Sequence, residues 1–181
     1  MATAKTGSFY LTETITLTTS TDSGERVQGS IDLGAYVNVA TGQAVAIESV
    51  DFVYQNTAEA GDVASMVTAN GSLSAQLTDL NPGTAFVRAD NQSLIASSSL
   101  NIDKSNSIAT MASDIYPDNF GPAALSEAFM VVNDTLYLVG GVDTADVAQT
   151  MSITARIKCR IVKLSSKDFV AIAIQSTASD N

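Results

Sequence analysis

Apolar and polar residues alternate through much of this chain. The longest such run sets Met151, Ile153, Ala155, Ile157, Cys159 and Ile161 against Thr154, Arg156, Lys158 and Arg160. A period of two sends successive side chains to opposite faces of a strand, so one face of this segment suits a core and the other suits solvent or a neighbour. The pattern recurs. Phe9, Leu11, Ile15 and Leu17 share a face interrupted by Glu13, with Thr12, Thr14 and Thr16 opposite. Threonine favours strands without being hydrophobic, which keeps such a segment β on both sides. Val27, Gly29, Ile31 and Leu33 alternate up to Gly34, and Val50, Phe52 and Tyr54 alternate with Asp51, Val53 and Gln55 after Gly42.

Shorter segments complete the pattern. Stretches 63–68 and 72–77 read as a hairpin across Asn70-Gly71. Phe86 and Arg88 read as a short strand after the Asn81-Pro82-Gly83 turn, followed by strands at 93–102, 129–132 and 135–139. Gly140-Gly141 reads as a chain break, and Val170, Ile172 and Ile174 as the last strand. The stretch 112–127, with Pro117 and Pro122, reads as a long connection holding one or two helical turns. Eight or more strands with irregular turn spacing predict an all-β, antiparallel two-sheet β-sandwich, a jelly roll first and an immunoglobulin-like sandwich second. The second usually wants a core tryptophan, and this chain has none. At 181 residues one domain suffices, residues 1–181, with polar ends at about 1–7 and 176–181.

Composition narrows the function. The chain contains no histidine and one cysteine, Cys159, which removes the residues most used for proton transfer and for zinc or redox metals. Cys159 shares a face with Ile157 and Ile161 and reads as a core thiol. Two loops, Asp22-Ser-Gly and Asp143-Thr-Ala, superficially resemble facing aspartic-protease loops but read as β-turns. Asp114, Asp118 and Asn119, or Asp143 and Asp146, offer loop oxygens for calcium but match no EF-hand spacing. No catalytic, cofactor-binding or metal residues and no cofactor are therefore assigned, and the chain reads as a non-enzyme.

Charged residues make up 15% of the chain, against about 25% in ordinary soluble domains. A surface this poor in charge suits one covered by neighbours. The formal net charge is -10, which disfavours sequence-specific nucleic-acid binding. Basic residues concentrate near the C-terminus as Arg156, Lys158, Arg160, Lys163 and Lys167. This stripe reads as a solvated or protected strand face, a contact for an acidic neighbouring subunit, or a contact for lipid or nucleic acid. The N-terminal stretch shows no apolar secretion signal, and no apolar run approaches the roughly 18 residues of a membrane span.

The segments 9–17 (FYLTETITL), 31–37 (IDLGAYV) and 45–54 (VAIESVDFVY) together resemble small jelly-roll coat proteins of tailless icosahedral viruses. The nearest likeness is to the single-barrel capsid proteins of viruses with an internal membrane. That resemblance implies a capsid subunit of the virion that self-assembles through repeated contacts, with copies of itself, a second coat protein or an internal membrane as partners. It carries no catalytic residues. No Arg-rich N-terminal arm is present, Lys5 being the only basic residue before Arg26, which fits a genome enclosed by something else. Two alternatives stay open: a phage tail, fibre or decoration protein, and a carbohydrate- or ligand-binding β-sandwich module.

Overall fold

The computed structural model describes residues 2–57, 62–113 and 129–178. Ten strands occur among them: β1 Thr3–Ala4, β2 Phe9–Leu17, β3 Arg26–Asp32, β4 Gln43–Asn56, β5 Gly71–Thr78, β6 Leu94–Asp103, β7 Ile108–Ser113, β8 Phe129–Val131, β9 Thr135–Asp143 and β10 Met151–Lys163. One α-helix follows, α1 Ser166–Ala178. In the first sheet β10 is central, pairing with β4 on one side and with β2 and β1 on the other, while β8 closes the far edge of β4. The second sheet runs β3, β9, β5, β6, β7. All pairs are antiparallel.

The order has a simple origin. β2 pairs with β10, β3 with β9, β4 with β8 and β5 with β6. Eight strands thus form one long hairpin doubled on itself, which rolls up so that its arms alternate between two sheets. This is the jelly roll, the first expectation from the strand count and turn spacing, and not the immunoglobulin-like arrangement. β1 and β7 are additions at the ends, and β1 recruits part of the polar N-terminal stretch onto Val162 and Lys163.

The inward faces interlock. Ile15, Leu17, Val45, Ile47, Phe52, Leu73, Leu77, Leu100, Ile102, Leu136, Leu138, Met151, Ile153, Ile157 and Cys159 form one buried cluster. Each large aliphatic side chain buried there stabilises the sandwich by about 1.5–3 kcal/mol relative to exposure. A polar tie crosses between the sheets: the Tyr54 hydroxyl lies 2.7 Å from Ser98 Oγ. At one side of the sandwich β2 presses against β3, where a Cβ on Gly29 would stand 2.9 Å from Ile15 Cγ2 and 2.5 Å from Glu13 Oε1.

Several sequence expectations give way to the structure. Residues 169–174 are helical and form no strand. Ser165 caps the first turn through its Oγ, which accepts from Asp168 N at 3.1 Å, and Phe169 N donates to Ser165 O at 2.9 Å. Phe169, Ile172 and Ala173 then recur at helical spacing and pack on Ala44, Ala46, Val132, Val162 and Leu164. The outward face of the first sheet is therefore apolar at that end because α1 covers it. Residues 63–65 form a 3₁₀ turn, so the proposed hairpin across Asn70-Gly71 does not form, and β5 pairs with β6 and β9. Phe86 and Arg88 lie in irregular chain, held where Gln76 exchanges side-chain hydrogen bonds with the Val87 backbone. Gly140-Gly141 does not break the chain. β9 runs through it, because a Cβ on Gly140 would meet Ile15 Cδ1 at 2.6 Å and Ile153 Cδ1 at 3.0 Å. The long connection at 112–127 falls almost entirely outside the described residues.

Candidate functional site

The outward face of β10 carries the basic stripe. Inward residues Ala155, Ile157 and Cys159 are fully buried, so alternation turns Arg156, Lys158 and Arg160 to the outside of the first sheet. Lys163 is the exposed last residue of β10, and Lys167 is exposed in the first turn of α1. Three of the five cations thus share one strand face, and two flank the helix start.

A carboxylate sits among them. Lys158 pairs with Ser49 across the sheet, and the next residue, Cys159, pairs with Ile47. Glu48 is the extra residue of a β-bulge, and the bulge re-aims its side chain. Its Oε1 lies 3.0 Å from Arg160 Nε and its Oε2 3.4 Å from Lys158 Nζ. The Arg160 contact is an ion pair and not an aligned hydrogen bond, since that Nε–H finds no acceptor in line. Ser8 Oγ donates to both carboxylate oxygens at 2.9 Å. With 16% of its side chain exposed, Glu48 is shielded enough for these contacts to resist screening. Arg156 reaches the other way, its guanidinium 5.4 Å from the centroid of the Tyr10 ring. Next to the stripe the face is hydroxyl-rich: Thr14 and Thr16 on β2 stand opposite Thr154 and Ser152 on β10 and Thr12 stands opposite Arg156, with Thr14 and Thr154 hydroxyls 2.9 Å apart.

The Cys159 thiol is buried behind this face. Burial, followed by the Glu48 charge, pushes its pKa up to about 12 from an ordinary 9.0. Burial likewise raises Tyr54 to about 12, only partly opposed by its hydrogen bond to Ser98.

The two aspartate loops do meet, and the carboxylates of Asp143 and Asp146 both have a structural duty there. Thr144 N donates to Ser23 Oγ and Ser23 N donates to Asp146 Oδ1, both at 2.9 Å. Asp143 takes both oxygens to Arg26 Nη2 at 2.6 and 2.8 Å, and Arg26 stacks over Phe86 at 4.4 Å. This is a clamp tying β3 to β9, not a pair of carboxylates facing each other over a substrate. Asp114, Asp118 and Asn119 lie outside the described residues.

A shallow hollow of about 330 Å³ opens on the outward side of the second sheet, lined by Ser74, Gln76, Ser97, Ser99, Ala112 and Phe86. Phe86 is the one ring in that lining, and Arg26 already occupies it. A sugar-stacking platform needs a ring face open to the ligand.

Glu48 was missed in the sequence, although a signal is present. Apolar residues fall at 45 and 47 and then at 50, 52 and 54, and that single three-residue step is the bulge written in the periodicity.

No protein-family model matches the chain, and no curated protein matches it. Solved structures that align over most of it include the following three. Desmodium yellow mottle tymovirus aligns at 14% identity over 90% of this chain and 87% of its own, with a TM-score of 0.31. A decameric BFDV capsid protein aligns at 11% identity over 88% and 99%, with a TM-score of 0.37. Turnip yellow mosaic virus aligns at 11% identity over 88% and 95%, with a TM-score of 0.27. At these identities and TM-scores the likenesses carry no functional argument.

Proposed function

We propose that this chain is a structural subunit of a virion shell, a capsid protein that assembles through repeated contacts with copies of itself. The observation that carries this reading is the outward face of the first sheet. Beyond the end covered by α1 it is lined by threonine and serine, and its basic stripe is partly neutralised from within by Glu48. Hydroxyl groups that pair with one another are cheaper to bury against a partner than unpaired charges, so such a face suits extended protein contact. Catalysis would instead require proton-transfer groups converging in a cleft, and the carboxylates best placed for that, Asp143 and Asp146, hold loops together. Arg156, Lys163 and Lys167 are the cations this reading assigns to an acidic neighbour, a second copy or a second coat protein. An internal membrane is the remaining partner for them.

Sedimentation velocity across a wide concentration range tests the reading. The purified chain should form large, discrete species, and Arg156→Gln should lower their yield while costing the folded chain no more than its Tyr10 contact, about 0.5–1 kcal/mol. A chain that stays monomeric at every concentration overturns it.

A further inference from the structure

The two outer edges of the second sheet differ in kind. β3 carries charge at both ends, Arg26 and Asp32. β7 reads Ile-Ala-Thr-Met-Ala-Ser, with no charge, no proline and no glycine. It pairs with β6, and its other edge has no strand partner among the described residues. Residues 108–112 are all exposed, including Ile108 at 57% and Met111 at 48%. A bare, uncharged edge strand is a template for another strand, and proteins that must stay single usually blunt it with lysine, proline or a bulge.

We propose that β7 is a self-association edge, which pairs antiparallel with β7 of a second copy across a two-fold axis and joins two sheets into one. The register follows from side-chain direction. Residues directly opposite in an antiparallel pair share a face, so the axis must pass through a residue and not between two. Centred on Thr110, Ile108 faces the second copy's Ala112, Ala109 faces its Met111, and Thr110 faces Thr110. Every pair on both faces then matches a large side chain with a small one, or threonine with itself. Centred on Met111, two methionines collide and Ile108 lies beyond the paired strand. The β6–β7 register puts Met111 beside Leu100 and Ala109 beside Ile102, both buried. Pairing would therefore extend the core layer over the half-exposed Met111.

The partner is a second copy because β7 centred on Thr110 is complementary to itself, large against small on both faces, and carries no charge to select a different sequence. A pair of six-residue strands buries far less than the roughly 1,200 Å² of a stable stand-alone interface. The contact therefore acts together with others, and to that extent it rests on the assembly reading above.

The test is a charge swap at the two-fold position, followed by deuterium uptake of β7 and by sedimentation. Thr110 is exposed, so Thr110→Lys and Thr110→Glu should both fold, with circular dichroism as the check. Each alone sets like charges directly opposite and should weaken self-association about threefold or more, with faster β7 exchange. Mixed in equal amounts, the two should recover association and protection. Large particles that form unchanged from either variant alone, with β7 exchanging freely, overturn the edge contact and leave the shell reading standing. Wild-type dimers that need β7 but never grow further uphold the edge and overturn the shell. Exchange that is slow at every concentration means that β7 is covered by its own chain, and also overturns the proposal.

Discussion

Replacing Glu48 by glutamine removes one charge and leaves the volume and the Ser8 hydrogen bond nearly intact. Lys158 and Arg160 then face each other across an uncharged amide. An exposed ion pair contributes about 0.5 kcal/mol, whereas breaking a fully buried one costs about 3–5 kcal/mol. Glu48 and Arg160 lie between these limits, with 16% and 21% of their side chains exposed, and Lys158 is nearer the surface at 42%. A loss of about 2 kcal/mol follows, or about 4–8 °C in Tm for a chain of this length. The assay is thermal unfolding of Glu48→Gln, Arg160→Gln and the double variant. Because the two side chains touch, their effects should be non-additive by about 1 kcal/mol. Additivity within about 0.3 kcal/mol would refute the claim that the bulge exists to hold a carboxylate among the cations.

Tyr54→Phe deletes a hydroxyl tie between the sheets and leaves Ser98 buried, so chemical denaturation should show a loss of about 1–2 kcal/mol. Gly42 has φ +69°, and a Cβ there would lie 2.5 Å from the backbone oxygen of Leu164. Gly42→Ala should cost at least about 2 kcal/mol in the same measurement, and a neutral result would contradict the described turn. The buried Cys159 thiol should resist a maleimide at pH 8 in the folded protein and react in denaturant. Its folded pKa of about 12 lies above the ordinary 9.0, so its stabilising contribution is complete below pH 9 and is lost as pH rises towards 12. Tyr54 adds the same sign from pH 10 upward. Stability should fall above pH 9 at up to about 1.4 kcal/mol per pH unit for each group, read from denaturant midpoints, and a flat alkaline profile would refute the burial of both.

The sandwich was legible because strands half-buried on one face print their period on the sequence, as 9–17 and 151–161 do. Where both faces are covered, the print is lost. Val162 and Leu164 point outward yet are buried because α1 lies over them, and nothing local announces that cover. The helix itself had a signal, Ser165 followed three residues later by Asp168 ahead of Phe169. The alternation of Val170, Ile172 and Ile174 masked it. Gly140 and Gly141 misled in the opposite sense: glycine marks a turn when the backbone must reverse, and a close approach when the other sheet, as at Gly140, or a side chain of the neighbouring strand, as at Gly141, must fit against it. The stripe at Arg156, Lys158 and Arg160 was readable as a face, but its neutralisation by Glu48 depends on a register shift between two distant strands.

Electron cryomicroscopy of the assembled protein tests the shell reading most directly. A coat subunit of this kind should yield closed particles of uniform size in which each jelly roll touches its neighbours through the threonine-lined face, the basic residues or the β7 edge. Monodisperse single molecules, or particles whose contacts avoid all three surfaces, would contradict it.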